Sequence, residues 1–515
     1  MTSKAPIFAL AALTVGLSLL PGRPAAASGP LQAGALDPTF GGAGKVGTDF
    51  GQLDGIEDLA VQSDGKIVAV GSTQQPVTFD DQFALARYTR DGSLDATFGT
   101  GGKVTTEFGN RFNSAYAVAL QDDGKIVAAG VTSGGSNGAD IALARYNADG
   151  SLDTSFGAAG KVVTDFNSTH EGALGLAIQP DGKLVVVGYT RPIGSFETNL
   201  PDFALARYNP DGNLDTSFGG DGKVSTAFTP DWANFGYDVA LAPDGKIVAA
   251  GWGLPHGAGG PGVIDVARYN ADGSLDASFD GDGRVVSAPG TDNGAFAVVV
   301  QPDRRVVVAG FIEFDLGLVR YNAGGRLDLT FGSEGVARSS LGRFATAYDL
   351  VRQPDGKLVA AGVVGPGSTD FNAVGFAVAR FGRSGEHDES FHGGAISTDF
   401  GAYDVAQALA LQPDGKIVAG GYSAQVDNEG TTTAEDFALA RYLGAPPRCK
   451  VPNVRGRKLA VARSVIAKAR CRLGKVRRKT SRTVERDHVV SQSPKAGTRL
   501  PNRGRVNLVV SKGGS

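Results

Sequence analysis

The sequence predicts an all-β protein: a seven-bladed β-propeller of four-stranded blades, followed by a small α+β domain. Three observations predict it. One unit of strands recurs seven times, two strands of each unit are apolar on both faces, and the charge changes sign where the repeats end. The repeat is the strongest of these signals. The motif L-D-x-[ST]-F recurs with its aromatic at Phe40, Phe98, Phe156, Phe218, Phe279 and Phe331, and in altered form at Phe391. The tripeptide D-G-K begins at Asp64, Asp123, Asp181, Asp244, Asp355 and Asp414, with Asp303, Arg304 and Arg305 in the remaining slot. An arginine before an aromatic closes an apolar run at Arg87, Arg145, Arg207, Arg268, Arg320, Arg380 and Arg441. Each landmark returns after 52 to 63 residues.

Taken in order, the chain opens on a segment outside any fold. Lys4 precedes an apolar run from Ile7 to Leu20, followed by Pro21, Arg23 and the small residues Ala25, Ala26 and Ala27. A positive start, a short apolar core and an A-x-A site describe a secretory signal peptide over 1–27. The run of 14 residues is too short to span a bilayer. The expected product is an exported protein of 488 residues with no transmembrane segment after cleavage.

Residues 35–442 form the repeat array. The third copy reads KVVTDF (161–166), ALGLAIQ (173–179), KLVVVGYT (183–190) and DFALARYN (202–209). These segments are short, rich in β-branched and aromatic residues, and separated by Gly, Asp, Asn and Pro, so they are read as strands. Gly makes up 75 of 515 residues, about twice the usual share, as many tight turns require. In KIVAVG, Ile67 and Ala69 oppose Val68 and Val70. A strand with two apolar faces needs cover on both, which blades stacked around an axis supply. If the LAVQ-type strand lies innermost, KVGTDF (44–50, with Gly44) has no preceding blade, and it is expected to complete the seventh blade and remove an open edge. The alternative keeps all four strands of each unit in one blade. The repeats resemble the delta-60 repeat family of bacterial extracytoplasmic propeller-like proteins, through L-D-x-[ST]-F-G-x-x-G-K-V, Q-x-D-G-K-I-V and F-A-L-A-R-Y-N.

Beyond a Pro-containing linker (443–448), the charge reverses. Residues 443–515 hold 20 Lys+Arg against 2 Asp+Glu, whereas 1–442 hold 30 against 51. Leu459, Ala462, Val465, Ile466 and Ala469 fall at helical spacing, which predicts an amphipathic helix over 458–470. The later segments alternate as strands, giving one helix on a three-stranded sheet over 449–513. VPNVRG (451–456), VVSQSPKAGTRL (489–500) and VNLVVSKG (506–513) resemble a PASTA domain. That resemblance implies binding to peptidoglycan at the cell wall, and the basic surface adds attraction to anionic wall polymers. Nucleic acid is not an expected partner, because no aromatic stacking pattern is interleaved with the charge. Cys449 and Cys471 are the only cysteines and flank the start of the domain and the end of its helix. In an exported chain they are read as a disulfide rather than a metal site.

Chemistry is sparse. His170, His256, His387, His392 and His488 share no repeat phase and no ligand spacing. No nucleophile elbow or phosphate-binding loop is present, so no catalytic residue, metal ligand or cofactor is assigned. The recurring arginine is read as structural, pairing with the motif aspartate as Arg145 with Asp153. In YNADGSLDTSFG (146–157), Asp149 becomes Gly324 and Ser384 in later copies. A calcium ligand would not survive that exchange, whereas a turn residue does. The connections on the opposite face vary in length and content, and variable loops on a rigid scaffold are where ligand surfaces form. Trp232, Phe235, Tyr237, Trp252 and His256 gather there around the fourth blade and form the candidate ligand site. The reading is a non-enzymatic wall-associated scaffold whose propeller binds a protein or glycan. The alternative is a propeller lyase or hydrolase acting on an extracellular or wall glycan.

Overall fold

The computed structural model describes residues 32–444 except 52, 76–77, 79, 134–137, 167–168, 193–199, 256–259, 343, 366–373, 402 and 427–431, and residues 449–514 except 470 and 501–503. The signal-peptide segment lies outside the described residues.

Seven four-stranded antiparallel sheets form the repeat region. Blade 1 runs Asp54–Val61, Ile67–Gln74, Asp81–Tyr88 and Lys103–Thr106 from the inside outward, and the next five blades repeat this order. The fourth strand of each blade therefore comes from the sequence unit that follows. The array would be one strand short at its end, and the chain's beginning fills the gap. Lys45–Thr48 pairs with Thr432–Tyr442, matching Lys45 with Ala440 and Thr48 with Phe437. The innermost strand of blade 1 packs against those of blades 2 and 7, which closes the ring.

The three repeat landmarks converge on one network. In blade 2, Arg145 Nε donates to Asp153 Oδ2 at 2.7 Å, and Lys125 of the D-G-K turn reaches the same oxygen at 3.2 Å. Asp153 Oδ1 accepts from the Ser155 amide and hydroxyl, Arg145 Nη1 donates to the Pro210 carbonyl of the next copy, and the guanidinium lies 4.5 Å from the Phe156 ring centre. A buried guanidinium needs such complete partnering. The tyrosine after the arginine ties blades together: Tyr146 OH donates to Thr106 Oγ1 of the neighbouring outer strand at 2.9 Å. Small side chains on the second and third strands let successive sheets interdigitate, as Val127, Ala129 and Leu143 do against Ala173, Val186 and Ala206.

At the seam, the same network is assembled from the two ends of the array. Arg441 Nη2 donates to Asp37 Oδ2 at 3.0 Å and Lys416 Nζ reaches that oxygen at 3.0 Å. The ring also takes in more chain than 35–442. Gly34 donates to the Leu443 carbonyl, Leu443 donates to the Ala35 carbonyl, and Ala33 is fully buried beside Phe391. Leu443 and Gly444 are buried parts of the ring rather than linker, and the Gly444 carbonyl accepts from Arg380 Nη1.

The tail has its own core. The strand Arg505–Ser511 lies between a parallel Arg472–Lys479 and an antiparallel Val489–Ser493. The helix spans Leu459–Lys468 and buries Ala462 and Ile466 against Val454, Val506, Leu508 and Val510. Among the described residues no helix is long and apolar enough to cross a membrane.

Candidate functional site

Every innermost strand carries a β-bulge, and the bulges build the channel wall. In blade 1 the register with the second strand shifts between Ile56 and Asp58, which makes Glu57 the extra residue of the bulge. The equivalent extra residues are Tyr116, Leu174, Tyr237, Phe296, Tyr348 and Gln407. A bulge turns side chains off the strand's alternation and re-aims them. Here it gathers one side chain per blade around the axis, each partly accessible within the ring.

The residue after the bulge is aspartate in blades 1, 4 and 6. Asp58 Oδ2 accepts from the Val118 amide at 2.7 Å, Asp238 Oδ2 from Val298 at 2.7 Å, and Asp349 Oδ2 from Leu409. Each aspartate thus ties its inner strand to that of the next blade. Burial pushes all three carboxyls up, Asp238 to about 7 and Asp349 to about 6, although backbone amides pull the other way. Asp58 is raised well above the ordinary range, by burial and then by the charge of Asp349.

An aromatic belt continues from the bulges toward the variable-loop face. Tyr237 meets Phe296 edge-on at 4.7 Å between ring centres, and Phe296 meets Tyr348 at 5.4 Å. Trp252 packs edge-on to Phe311 at 5.9 Å and to Phe296 at 6.3 Å, and Tyr189 meets Phe235 at 5.5 Å. Burial pushes the phenols of Tyr116, Tyr237 and Tyr348 up, and the charge of Glu57 adds to this at Tyr116 and Tyr348. They remain donors throughout the physiological range. Ring faces, phenol donors and carboxylate acceptors around one opening match a ligand with apolar faces and several hydroxyls.

The structure unites part of the sequence-derived set. Phe235 and Trp252 are cross-strand partners and Tyr237 is the bulge residue of blade 4, so all three belong to the belt. They lie on strands, however, not on the variable loops. Trp232 opens the innermost strand opposite Pro255, and His256 lies outside the described residues. Tyr116, Tyr189, Phe296, Tyr348, Glu57 and the three channel aspartates were missed. The signal was present in the repeats: GIEDLAV, SAYAVAL, GALGLAI, FGYDVAL, GAFAVVV, TAYDLVR and VAQALAL stay small or apolar in the second, fifth and sixth columns, whereas the third and fourth mix acidic, amide, aromatic and small residues. Those two columns are the bulge residue and the one after it.

The acidic turn of YNADGSLDTSFG is accounted for within the fold. Asp149 Oδ1 accepts from the Ser151 amide at 3.0 Å and its hydroxyl at 2.7 Å, and the Asp149 carbonyl accepts from Gly99. Gly150 adopts φ 89°, and a Cβ there would lie 2.9 Å from Val104 Cγ2 and 3.0 Å from the Gly99 nitrogen. The turn joins neighbouring copies.

Comparison with known proteins gives two matching families. A profile described as "Domain of unknown function (DUF5122) beta-propeller" matches residues 62–98, 121–156, 179–218, 242–279, 301–331 and 412–443. A PASTA domain profile matches residues 450–512. No curated protein matches the chain. Among solved structures, the extracellular region of the Ser/Thr kinase PrkC from Staphylococcus aureus is 22% identical over 13% of this chain, with a TM-score of 0.12. This chain spans 24% of that region. A protein of unknown function from Dyadobacter fermentans is 12% identical over 63% of this chain and 93% of its own, with a TM-score of 0.38. An ulvan lyase, described as a new family of polysaccharide lyase, is 11% identical over 66% of this chain and 80% of its own, with a TM-score of 0.40.

Proposed function

We propose, on the premise that this chain is a DUF5122 beta-propeller protein ending in a PASTA domain, that it is an exported binding scaffold held at the cell wall. The PASTA match over 450–512 carries the reading, and that domain engages peptidoglycan or anionic wall polymers. The excess of 20 basic over 2 acidic residues in 443–515 supports it, since anionic polymers attract such a surface at low ionic strength. The propeller presents its aromatic mouth to a glycan or to a glycan-bearing protein. Tyr237 and Phe235 supply ring faces, with the buried Trp252 behind them on the paired strand, and Tyr116 and Tyr348 donate to hydroxyls.

The channel carboxyls keep a second reading in view, a lyase or hydrolase acting on an extracellular glycan. Burial raises Asp238 to about 7 and Asp349 to about 6, toward the range in which general acids work. Both nevertheless accept backbone amides from adjacent blades, which favours the binding role.

Co-sedimentation with purified peptidoglycan tests the scaffold reading. The full chain is expected to pellet at low salt and to release at high salt, while 28–444 stays in solution. Equal pelleting of 28–444 would sink the tail's role. The truncation ends at 444 because Leu443 and Gly444 belong to the ring.

We also assign a Cys449–Cys471 disulfide to the tail. The Cys449 backbone pairs with Leu500, its side chain lies outside the described residues, and Cys471 is buried in the tail core. Closing this loop stabilises so small a core by roughly 3 kcal/mol. A tail melting transition that does not move when reductant is added would disprove the bond.

A further inference from the structure

At two of the seven joints between blades, three carboxylates converge. Asp49, Asp54 and Asp436 meet where blade 7 joins blade 1, and Asp140, Asp165 and Glu171 meet where blade 2 joins blade 3. In each trio one oxygen per residue lies within 4.8 Å of the others. The members hold equivalent repeat positions: the residue after the outer strand, the one starting the D-F-A-L-A-R run, and the one entering the next inner strand. At the other five joints at least one position is not acidic, as with Asn113, Asn234, Val263, Ala345 and Gly375.

The inner-strand position shows what these joints require. Where it is asparagine, the amide fills it as a donor. Asn113 Nδ2 donates to the carbonyls of Asp81 and Asn110, both at 2.8 Å. Asn293 Nδ2 donates to the carbonyls of Gly262 at 3.3 Å and Gly290 at 3.0 Å. In these blades the surrounding carbonyls take the hydrogens of an amide, whereas Asp54 and Glu171 place a carboxylate there, as Asp404 does in blade 7; the Phe50 and Gly51 amides donate to Asp54 Oδ2. The Asp54 and Glu171 side chains are fully buried. Among the described residues, Asp54 Oδ1 and both Glu171 carboxylate oxygens meet no hydrogen-bond donor. The nearby ammonium groups do not fill the gap: Lys103 and Lys223 donate to the backbone carbonyls of Asp49 and Asp165.

Where three such carboxylates converge, a cation can take the place of the amide hydrogens at the unpartnered oxygens, and oxygen-only ligands select a hard one. An oxygen separation of up to 4.8 Å is about twice a calcium–oxygen distance. We propose that these two joints are calcium sites, formed by Asp49, Asp54 and Asp436 and by Asp140, Asp165 and Glu171. The first lies on the seam, so calcium bridges the two ends of the array.

The test uses the full chain, stripped with chelator and titrated calorimetrically with calcium chloride, with magnesium chloride as the comparison. Two equivalents of calcium per chain and a rise of several degrees in melting temperature are expected. Asp54→Asn and Glu171→Gln each install an amide, as Asn113, Asn234 and Asn293 supply in three other blades, so both variants are expected to fold and to melt in chelator no lower than the parent. Each is expected to lose one equivalent, and the double variant both. Absence of calcium binding by the parent would show that the joints hold protons instead. Undiminished binding by the double variant would place the ions elsewhere. Either result overturns the proposal, and both are independent of wall binding. If one variant fails to fold, the other alone still halves the stoichiometry.

Discussion

Asp37→Ala is expected to destabilise the propeller by about 3–5 kcal/mol, the cost of stranding one member of a buried ion pair. Arg441 and Asp37 are both buried, separated by 404 residues in sequence and joined at the seam. Without Asp37, the Arg441 guanidinium keeps the Arg90 carbonyl, Gln412 and Thr39 but has no counter-charge. Lys416 loses one of its two carboxylate partners and keeps Asp414. Chemical denaturation of the parent, Asp37→Ala and Asp37→Asn would measure the effect. The amide retains an acceptor for the guanidinium, so the Asn variant is expected to lie between the other two. Removing residues 32–50 goes further, because it also bares the edge of Thr432–Tyr442. An uncovered edge strand templates pairing with other chains, so self-association in light scattering is expected of that truncation. An Asp37→Ala variant as stable as the parent would show that the seam does not depend on this pair.

Stability measured in chelator is expected to peak at mildly acidic pH and to fall as pH rises from about 5.5 to about 8.5. Two sets of carboxyls act in opposite directions. At Asp37, burial raises the carboxyl but the Thr39 amide, Lys416 and Arg441 outweigh it, holding it at about 2. Its unfolded value is about 4, so its contribution is present above pH 4 and is lost as pH falls toward 2. Asp349 and Asp404 are raised by burial to about 6, Asp238 and Asp265 to about 7, and Glu171 to about 8. For these groups the folded state keeps protons that the unfolded chain releases near pH 4. Their contribution is whole below that pH and disappears as pH rises through 6 to 8, at a cost on the order of 2 kcal/mol per carboxyl. Asp238→Asn is expected to flatten the alkaline slope, because its amide has no charge to desolvate. Melting temperatures that hold constant or rise between pH 5.5 and 8.5 would count against this assignment. Calcium is expected to reverse part of the loss, since ionised Glu171 would then have a partner.

Much of the fold was legible because it depends on local and repeated features. The L-D-x-[ST]-F aspartate, the closing arginine and the D-G-K lysine marked seven copies, and the structure shows all three types meeting in one buried network. The displaced first strand was legible from counting strands against blades. The channel was harder to read. A bulge breaks the two-residue alternation by which a strand's faces are assigned, so Glu57, Tyr116 and Phe296 could not be placed from the pattern. Phe235, Tyr237 and Trp252 were found as unusual aromatics but were assigned to loops rather than strands.

The sequence by itself determined the number of blades, the order of their strands, the turn at Asp149 and the separate basic domain. Each follows from hydrophobic period, turn chemistry or charge within a few dozen residues. Only the tertiary structure decided which carboxylates become neighbours. Asp49, Asp54 and Asp436 look like ordinary acids along the chain, and Asp54 and Asp436 stand at opposite ends of the array. They converge because ring closure pairs Lys45–Thr48 with Thr432–Tyr442. Like charges resist such an approach in a buried joint, so protons or a cation must accompany it.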